Sequence, residues 1–271
     1  MATERLFGLT VLAAMCLSMA QAAQTAASQQ APDITYLGVD KMVAECRPVV
    51  VSIEQEVAPG QYAKLGTGCL VNPQDPVVLT CKHVVEAARA EGPLAVGINT
   101  KEGKMVVSVH VVSTSERPDL ALLKAEKILE PPPRWTGTFD ELLGSQRVMG
   151  FTTFAADSEI AEGTGTLMIG FPLGLGNEVD ENHPVSRLGI VAQGVYTQSR
   201  FLVDADASRG NSGSPIFLCS TGKFAGIVFA QAADTISIID DANQKVARMP
   251  YGASLAACIP ASAIRKFLEA R

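Results

Sequence analysis

The chain has 271 residues and a formal net charge of −6 at neutral pH. That length allows one large domain or two small ones with a substantial core, and an acidic balance without a basic block argues against a nucleic-acid surface. Met1 to Arg5 is a short start containing a basic residue, Leu6 to Ala20 is an apolar run, and Ala20-Gln21-Ala22 offers the small residues that a signal peptidase reads. The run falls short of the ~20 residues needed to span a bilayer, so residues 1–22 read as a cleaved signal peptide and not as a membrane anchor. Residues 23–32 are polar, alanine-rich and without pattern, a flexible leader to a folded domain expected over 33–271. These readings predict an exported protein, periplasmic or secreted, with no stable membrane anchor.

Cleavage would leave Cys46, Cys69, Cys81, Cys219 and Cys258. An odd number requires at least one thiol that is free or paired with another chain. No Cys-x-x-Cys pair occurs, so a zinc or redox motif has no support and no metal is expected. Cys69 and Cys81 flank the hairpin-like segment Asn72 to Pro76 and are expected to form a disulfide, with two buried free thiols as the alternative.

Taken in order, Asp33 to Glu45 has a short helical pattern and Pro48 to Glu56 reads as a strand, rich in β-branched residues. Gly66 to Val71 and Val77 to Thr80 form a hairpin that runs into Cys81-Lys82-His83, with a helical turn expected at Glu86 to Ala90. Strands follow at Leu94 to Ile98 and Met105 to Val112, and an apolar strand opens at Asp119-Leu-Ala-Leu-Leu123. Glu130 to Trp135 is a stiff proline-rich connection. Beyond it, apolar strands alternate with glycine turns at Thr166 to Gly170, Leu188 to Val195, Phe201 to Val203, Ile216 to Leu218 and Phe224 to Ala230. Phe139 to Gly165 and Ala232 to Tyr251 read as long surface loops. Ile264, Phe267 and Leu268 fall at helical spacing in the last segment.

The stretch Asp204 to Phe217 carries the chemistry. Gly210-Asn-Ser212-Gly-Ser-Pro215 sets a serine in a glycine-flanked turn before an apolar strand. A serine hydroxyl is a poor nucleophile until a base takes its proton, and an acyl intermediate needs donors aimed at its oxyanion. A histidine and a carboxylate are therefore required elsewhere. His83 follows a buried strand and Asp119 opens one, whereas His110 sits within a valine-rich strand and His183 in a loop without a motif.

Gly-Asn-Ser-Gly-Ser-Pro resembles the nucleophile motif of chymotrypsin-like serine proteases, in the bacterial branch that holds the HtrA and glutamyl endopeptidase families. Asp204 to Ser212 matches the Asp-x7-Ser spacing of HtrA, while serine at 214 is nearer the glutamyl endopeptidases. Thr80 to His83 is similar to the family's histidine motif, with Lys82 where a small residue or asparagine is usual. Asp119 to Leu123 is similar to the segment that carries its aspartate, and Phe171 to Gly174 to a proline-containing HtrA turn. The chain order His83, Asp119, Ser212 is that of chymotrypsin, and both this order and the serine at 214 disfavour an α/β-hydrolase.

The resemblance covers roughly Cys46 to Leu268. It implies an all-β fold of two six-stranded antiparallel barrels, the first over about 46–128 and the second over about 141–260, with a C-terminal helix at 260–271; the PDZ domains that HtrA proteases usually add are not expected in this chain. It further implies a serine endopeptidase acting on protein or peptide without cofactor, with His83, Asp119 and Ser212 catalytic and the N–H groups of Gly210 and Ser212 as oxyanion donors. Asp206, Phe229 and Gln231 are the candidate substrate pocket. Asp206 either selects basic side chains or is solvated or salt-bridged, with Arg209 as a candidate partner. The competing readings are a catalytically inactive or latent protease-fold binding protein and an esterase using the same three residues.

Overall fold

The computed structural model describes residues 38–88, 92–139, 141–142, 146–172, 183–196, 200–239 and 245–270, with the backbone alone over 233–239 and 245–253. The signal peptide and leader expected over residues 1–22 and 23–32 lie outside the described residues. Helix α1 (Val39–Cys46) precedes six strands: β1 (Val50–Ala58), β2 (Gln61–Val71), β3 (Val77–Thr80), β4 (Leu94–Thr100), β5 (Gly103–Ser115) and β6 (Leu120–Glu130). Helix α2 (Lys82–Glu86) leaves the end of β3. The second half has β7 (Gly165–Gly170), β8 (Val185–Gln193), β9 (Phe201–Asp204), β10 (Pro215–Leu218), β11 (Phe224–Ile239) and β12 (Lys245–Pro260), followed by helix α3 (Ala261–Glu269).

Each set of six closes on itself. Barrel one runs β1-β2-β3-β6-β5-β4 and barrel two β10-β11-β12-β9-β8-β7, all antiparallel, so the second repeats the connectivity of the first. Closure removes the free sheet edges that would otherwise invite pairing with other chains. In barrel one it happens where β4 returns to β1, with Ser52 opposite Gly97. A Cβ at Gly97 would meet the Ser52 hydroxyl and the Glu54 carboxylate, so glycine there makes room for a buried polar group. Glu54 is fully buried, bonded by Ser52 Oγ–H at 2.6 Å and paired with Lys104 of β5 at 2.7 Å, so its charge is not left alone in the core.

The inward faces carry Val51, Ile53, Val78, Val96, Met105 and Leu123 in barrel one and Met168, Val191, Phe201, Val203 and Ile216 in barrel two, all buried. One apolar cluster continues from barrel one through Phe171, Phe217 and Ile227 to Ala261, Ile264 and Leu268 on α3. Those three α3 residues recur at helical spacing, which gives the helix one apolar stripe to lay on the barrels.

Several sequence readings change. Ala232 to Tyr251 is not a surface loop: β11 and β12 continue as a paired ribbon, in register from Ala233↔Gly252 to Ile239↔Lys245. The alternation Thr235-Ile236-Ser237-Ile238 is a strand pattern once a partner strand is present. Among the described residues between Phe139 and Gly165, Leu142, Met149, Phe154 and Ile160 are buried and short 3₁₀ turns form at Phe151–Thr153 and Asp157–Glu159, so they are packed rather than decorative. The helical turn expected at Glu86 to Ala90 begins earlier, at Lys82, and residues 89–91 lie outside the described residues.

The disulfide expected between Cys69 and Cys81 is absent, and all five described cysteines are free. The hairpin register sets Leu79, not Cys81, opposite Cys69. Cys81 lies where the chain turns from β3 into α2, and its thiol donates to the carbonyl oxygen of Val228 at 3.3 Å.

Candidate active site

His83 sits in the first turn of α2, immediately after β3, and Asp119 precedes β6, the strand paired with β3 through Thr80↔Ala121. Antiparallel pairing thus brings two residues far apart in sequence to the same end of barrel one. The backbone N–H of His83 donates to Asp119 Oδ1 at 3.1 Å, and His83 Nδ1 stands 2.5 Å from Asp119 Oδ2. A carboxylate only accepts, so Nδ1 carries the proton, and in the neutral imidazole Nε2 is then the acceptor. Ser212 Oγ lies 2.9 Å from that Nε2. The serine comes from the turn before β10, so barrel two completes a chain of two hydrogen bonds that begins in barrel one.

The turn around Ser212 is tightly specified. Gly210 and Gly213 have φ of 92° and 88°, in the left-handed region where a side chain is strained. A Cβ on Gly213 would also run into the carbonyl oxygen of Thr67. Asn211 N–H donates to Ser208 O at 3.1 Å, Gly213 N–H to Val228 O at 2.7 Å and Ser214 N–H to Asn211 O at 2.9 Å. Among the described residues the N–H groups of Gly210 and Ser212 find no protein acceptor. They are the two donors the sequence nominated for an oxyanion.

Lys82 turns toward Glu86, at 2.8 Å, and Glu116. Those two carboxylates, Glu116 first, hold its ammonium up to about 12. Cys81 is fully buried beside the site, and burial, with the charge of Asp119 adding to it, pushes its thiol well above the ordinary range. A sulfur, a nitrogen and an oxygen of Cys81, His83 and Asp119 lie within 4.8 Å of one another. Each residue already has a protein partner, so a metal would have to displace the hydrogen bonds just described.

Of the candidate pocket residues, Phe229 and Gln231 lie on β11 and Asp206 follows the end of β9. Phe229 and Gln231 follow Val228 on β11, whose N–H donates to Ser214 O at 2.9 Å, so their strand lies against the serine turn. Phe229 is half-buried against the core cluster. Asp206 has a partner: its carboxylate and its backbone carbonyl oxygen both accept from Arg187 Nη1 of β8 at 2.6 Å. The partner is therefore Arg187, not the Arg209 suggested by the sequence. Arg187 was out of reach of sequence reasoning because only the β7–β8–β9 pairing carries it to Asp206. Thr67, whose hydroxyl touches the serine turn, was also missed, although its position between two glycines marked a backbone contact.

The match to the trypsin-like peptidase domain family runs over residues 66–227, from the middle of β2 into β11, and includes His83, Asp119 and Ser212. Proteins named "Probable periplasmic serine endoprotease DegP-like" from Bartonella henselae and Brucella suis biovar 1 are each 27% identical, over 135 and 159 residues. Those stretches cover 49% and 55% of this chain and 23% and 30% of the relatives' own length, so the likeness concerns one part of longer proteins. Among solved structures, the serine endoprotease from Yersinia pestis superposes with a TM-score of 0.55 at 20% identity, over 86% of this chain and 65% of that one. The MamO protease domain from Magnetospirillum magneticum, in its apo form, gives 0.53 at 18% identity, over 82% and 96%. These two likenesses bear on the fold alone, which is the chymotrypsin-like pair of barrels. With the family match extending over more than half of its length, the chain belongs to the trypsin-like peptidase domain family.

Proposed function

We propose that this chain is an exported serine endopeptidase that hydrolyses peptide bonds through Ser212, His83 and Asp119. The observation that carries the reading is the hydrogen-bonded series Ser212 Oγ, His83 Nε2, His83 Nδ1 and Asp119 Oδ2, with separations of 2.9 and 2.5 Å. In that arrangement Ser212 Oγ attacks the substrate carbonyl carbon while its proton passes to Nε2. Asp119 keeps the imidazole in the right tautomer and stabilises the imidazolium. The oxyanion receives hydrogen bonds from the N–H groups of Gly210 and Ser212. Collapse of the tetrahedral intermediate breaks the C–N bond, the leaving amine takes the proton from Nε2, and an acyl ester on Ser212 remains. Water then repeats the sequence, giving its proton to Nε2 and releasing the acid.

The pocket reading changes with Asp206. A carboxylate already neutralised by Arg187 offers little to an arginine or lysine of the substrate, so preference for uncharged side chains at the scissile residue is expected. Export rests on the apolar run from Leu6 to Ala20 and on the word "periplasmic" in the names of the relatives. Among the described residues no helix is long and apolar enough to cross a membrane.

The test is mass-spectrometric mapping of a fluorophosphonate probe on the chain beginning after residue 22, alongside a peptide library scanned at the scissile residue. The expected result is labelling confined to Ser212, lost in Ser212→Ala and in His83→Ala, with library cleavage reduced by roughly 10⁶-fold in either variant. A folded chain that takes no label would favour the inactive binding protein. Ester hydrolysis without amide hydrolysis would favour the esterase, and a library preference for arginine or lysine would restore Asp206 to the pocket.

A further inference from the structure

We infer that Thr67 is a positioning residue for the oxyanion turn, an inference that rests on the peptidase reading above. Thr67 lies on β2 of barrel one and is fully buried. Its hydroxyl accepts a hydrogen bond from the N–H of Phe171 at 2.9 Å and donates to the carbonyl oxygen of Gly210 at 2.8 Å. A hydroxyl has one proton to give. With Phe171 as donor, the direction of the bond to Gly210 is settled. The backbone of the same residue also engages the turn, because Thr67 N–H donates to Ser212 O at 2.9 Å. On its other side Thr67 O accepts from the Thr80 hydroxyl at 2.7 Å, just before the segment that carries His83.

The consequence follows from peptide planarity. In a trans peptide the C=O and the next N–H point in opposite directions, so holding both ends fixes the plane. The peptide between residues 210 and 211 is held by Thr67 at its carbonyl and by Ser208 O at its N–H. The peptide between 212 and 213 is held by Thr67 N–H at its carbonyl and by Val228 O at its N–H. Ser212 N–H belongs to the peptide between these two and Gly210 N–H to the peptide just before them, so both donors are oriented by the held planes. Gly210, at φ 92°, has the freedom to leave that orientation, and the Thr67 hydroxyl is the barrel-one contact that keeps its carbonyl in place. The β-branched threonine is stiff at χ1, which suits a hydroxyl with two fixed partners. Thr67 touches no substrate. It acts through Gly210.

The experiment compares Thr67→Val, which keeps the shape and removes the hydroxyl, with Thr67→Ser, which keeps the hydroxyl. Steady-state kinetics should show kcat reduced roughly 10²-fold in the valine variant, the scale seen when an oxyanion donor is lost, with KM changed by less than about threefold. Binding of a peptide aldehyde, whose hemiacetal oxygen occupies the oxyanion site, should weaken by a similar factor. The serine variant should recover most of both. Amide hydrogen exchange supplies a readout free of activity: exchange at Asn211 should quicken in Thr67→Val relative to Leu122 of β6, and return in Thr67→Ser. Wild-type kcat in the valine variant, an equal loss in the serine variant, or unchanged exchange at Asn211 would each overturn the inference. A wild-type chain that cleaves no peptide would sink the peptidase reading, while the exchange comparison would still decide the role of Thr67 in holding the turn.

Discussion

His83 and Lys82 are neighbours with opposite tasks. The imidazole faces Ser212 and Asp119, and the ammonium is drawn off by Glu86 and Glu116, so a lysine where the family usually has a small residue leaves the serine side unobstructed. Cys81, one residue earlier, is set by burial. A thiol that does not ionise is neither a nucleophile nor a ready ligand. Burial likewise pushes Cys46 up to about 11 and raises Cys69 and Cys258. In the chain beginning after residue 22, Ellman's reagent at pH 8 should therefore react first with Cys219, the one described cysteine that is only half-buried although burial raises it too, and with all five described thiols after unfolding in denaturant. Fewer than five thiols in denaturant without reductant would mean that a bridge forms after all.

Between elements, the packed segment before β7 is tied to the turn that opens β11. Lys223 donates to Glu159 at 2.7 Å, and this bond, helped by the N–H of Ala156, holds the Glu159 carboxyl below its ordinary range. A carboxylate with a depressed folded-state value contributes stability above its unfolded value, and that contribution disappears as pH falls through the depressed one. The pair is about one-third exposed on each side, so its worth is small, under about 1 kcal/mol. Glu159→Gln should thus lower the unfolding midpoint slightly at pH 7 and leave it unchanged in acid well below about pH 4. An equal effect at both pH values would show that the glutamine disturbs packing and not an ion pair. The β11–β12 ribbon belongs to the same order of structure. Its strands pair with each other far beyond the point where β12 leaves β9, so local alternation there becomes strand only through a partner of the same ribbon.

Across the molecule, the two barrels share an apolar cluster that includes α3, and Thr67 bonds across their contact to Gly210, Ser212 and Phe171. Elements that bury a common core lose it together. Unfolding followed by fluorescence of Trp135, the single tryptophan, should coincide with unfolding followed by far-ultraviolet circular dichroism. Two separated transitions would mean that the barrels hold themselves up independently, and the shared cluster would then carry less of the stability than its burial suggests.

Much of the architecture was legible in the chain because its signals are local. β-branched runs between turn residues marked most of the strands, and the glycines at 210 and 213 marked a backbone that side chains would strain. The order of His83, Asp119 and Ser212 carried the family resemblance, since each sits at a strand end whose pattern is visible without its neighbours. What stayed hidden depends on partners distant in sequence. The hairpin register puts Leu79 opposite Cys69, and two free thiols result. Arg187 reaches Asp206 only when β8 lies in its barrel, which gives a candidate specificity residue an ion-pair partner. The Thr67 hydroxyl finds Gly210 only when the barrels meet. Spacing along a chain reports which backbone conformations are allowed, whereas the partner of a buried or charged group is chosen by packing in three dimensions.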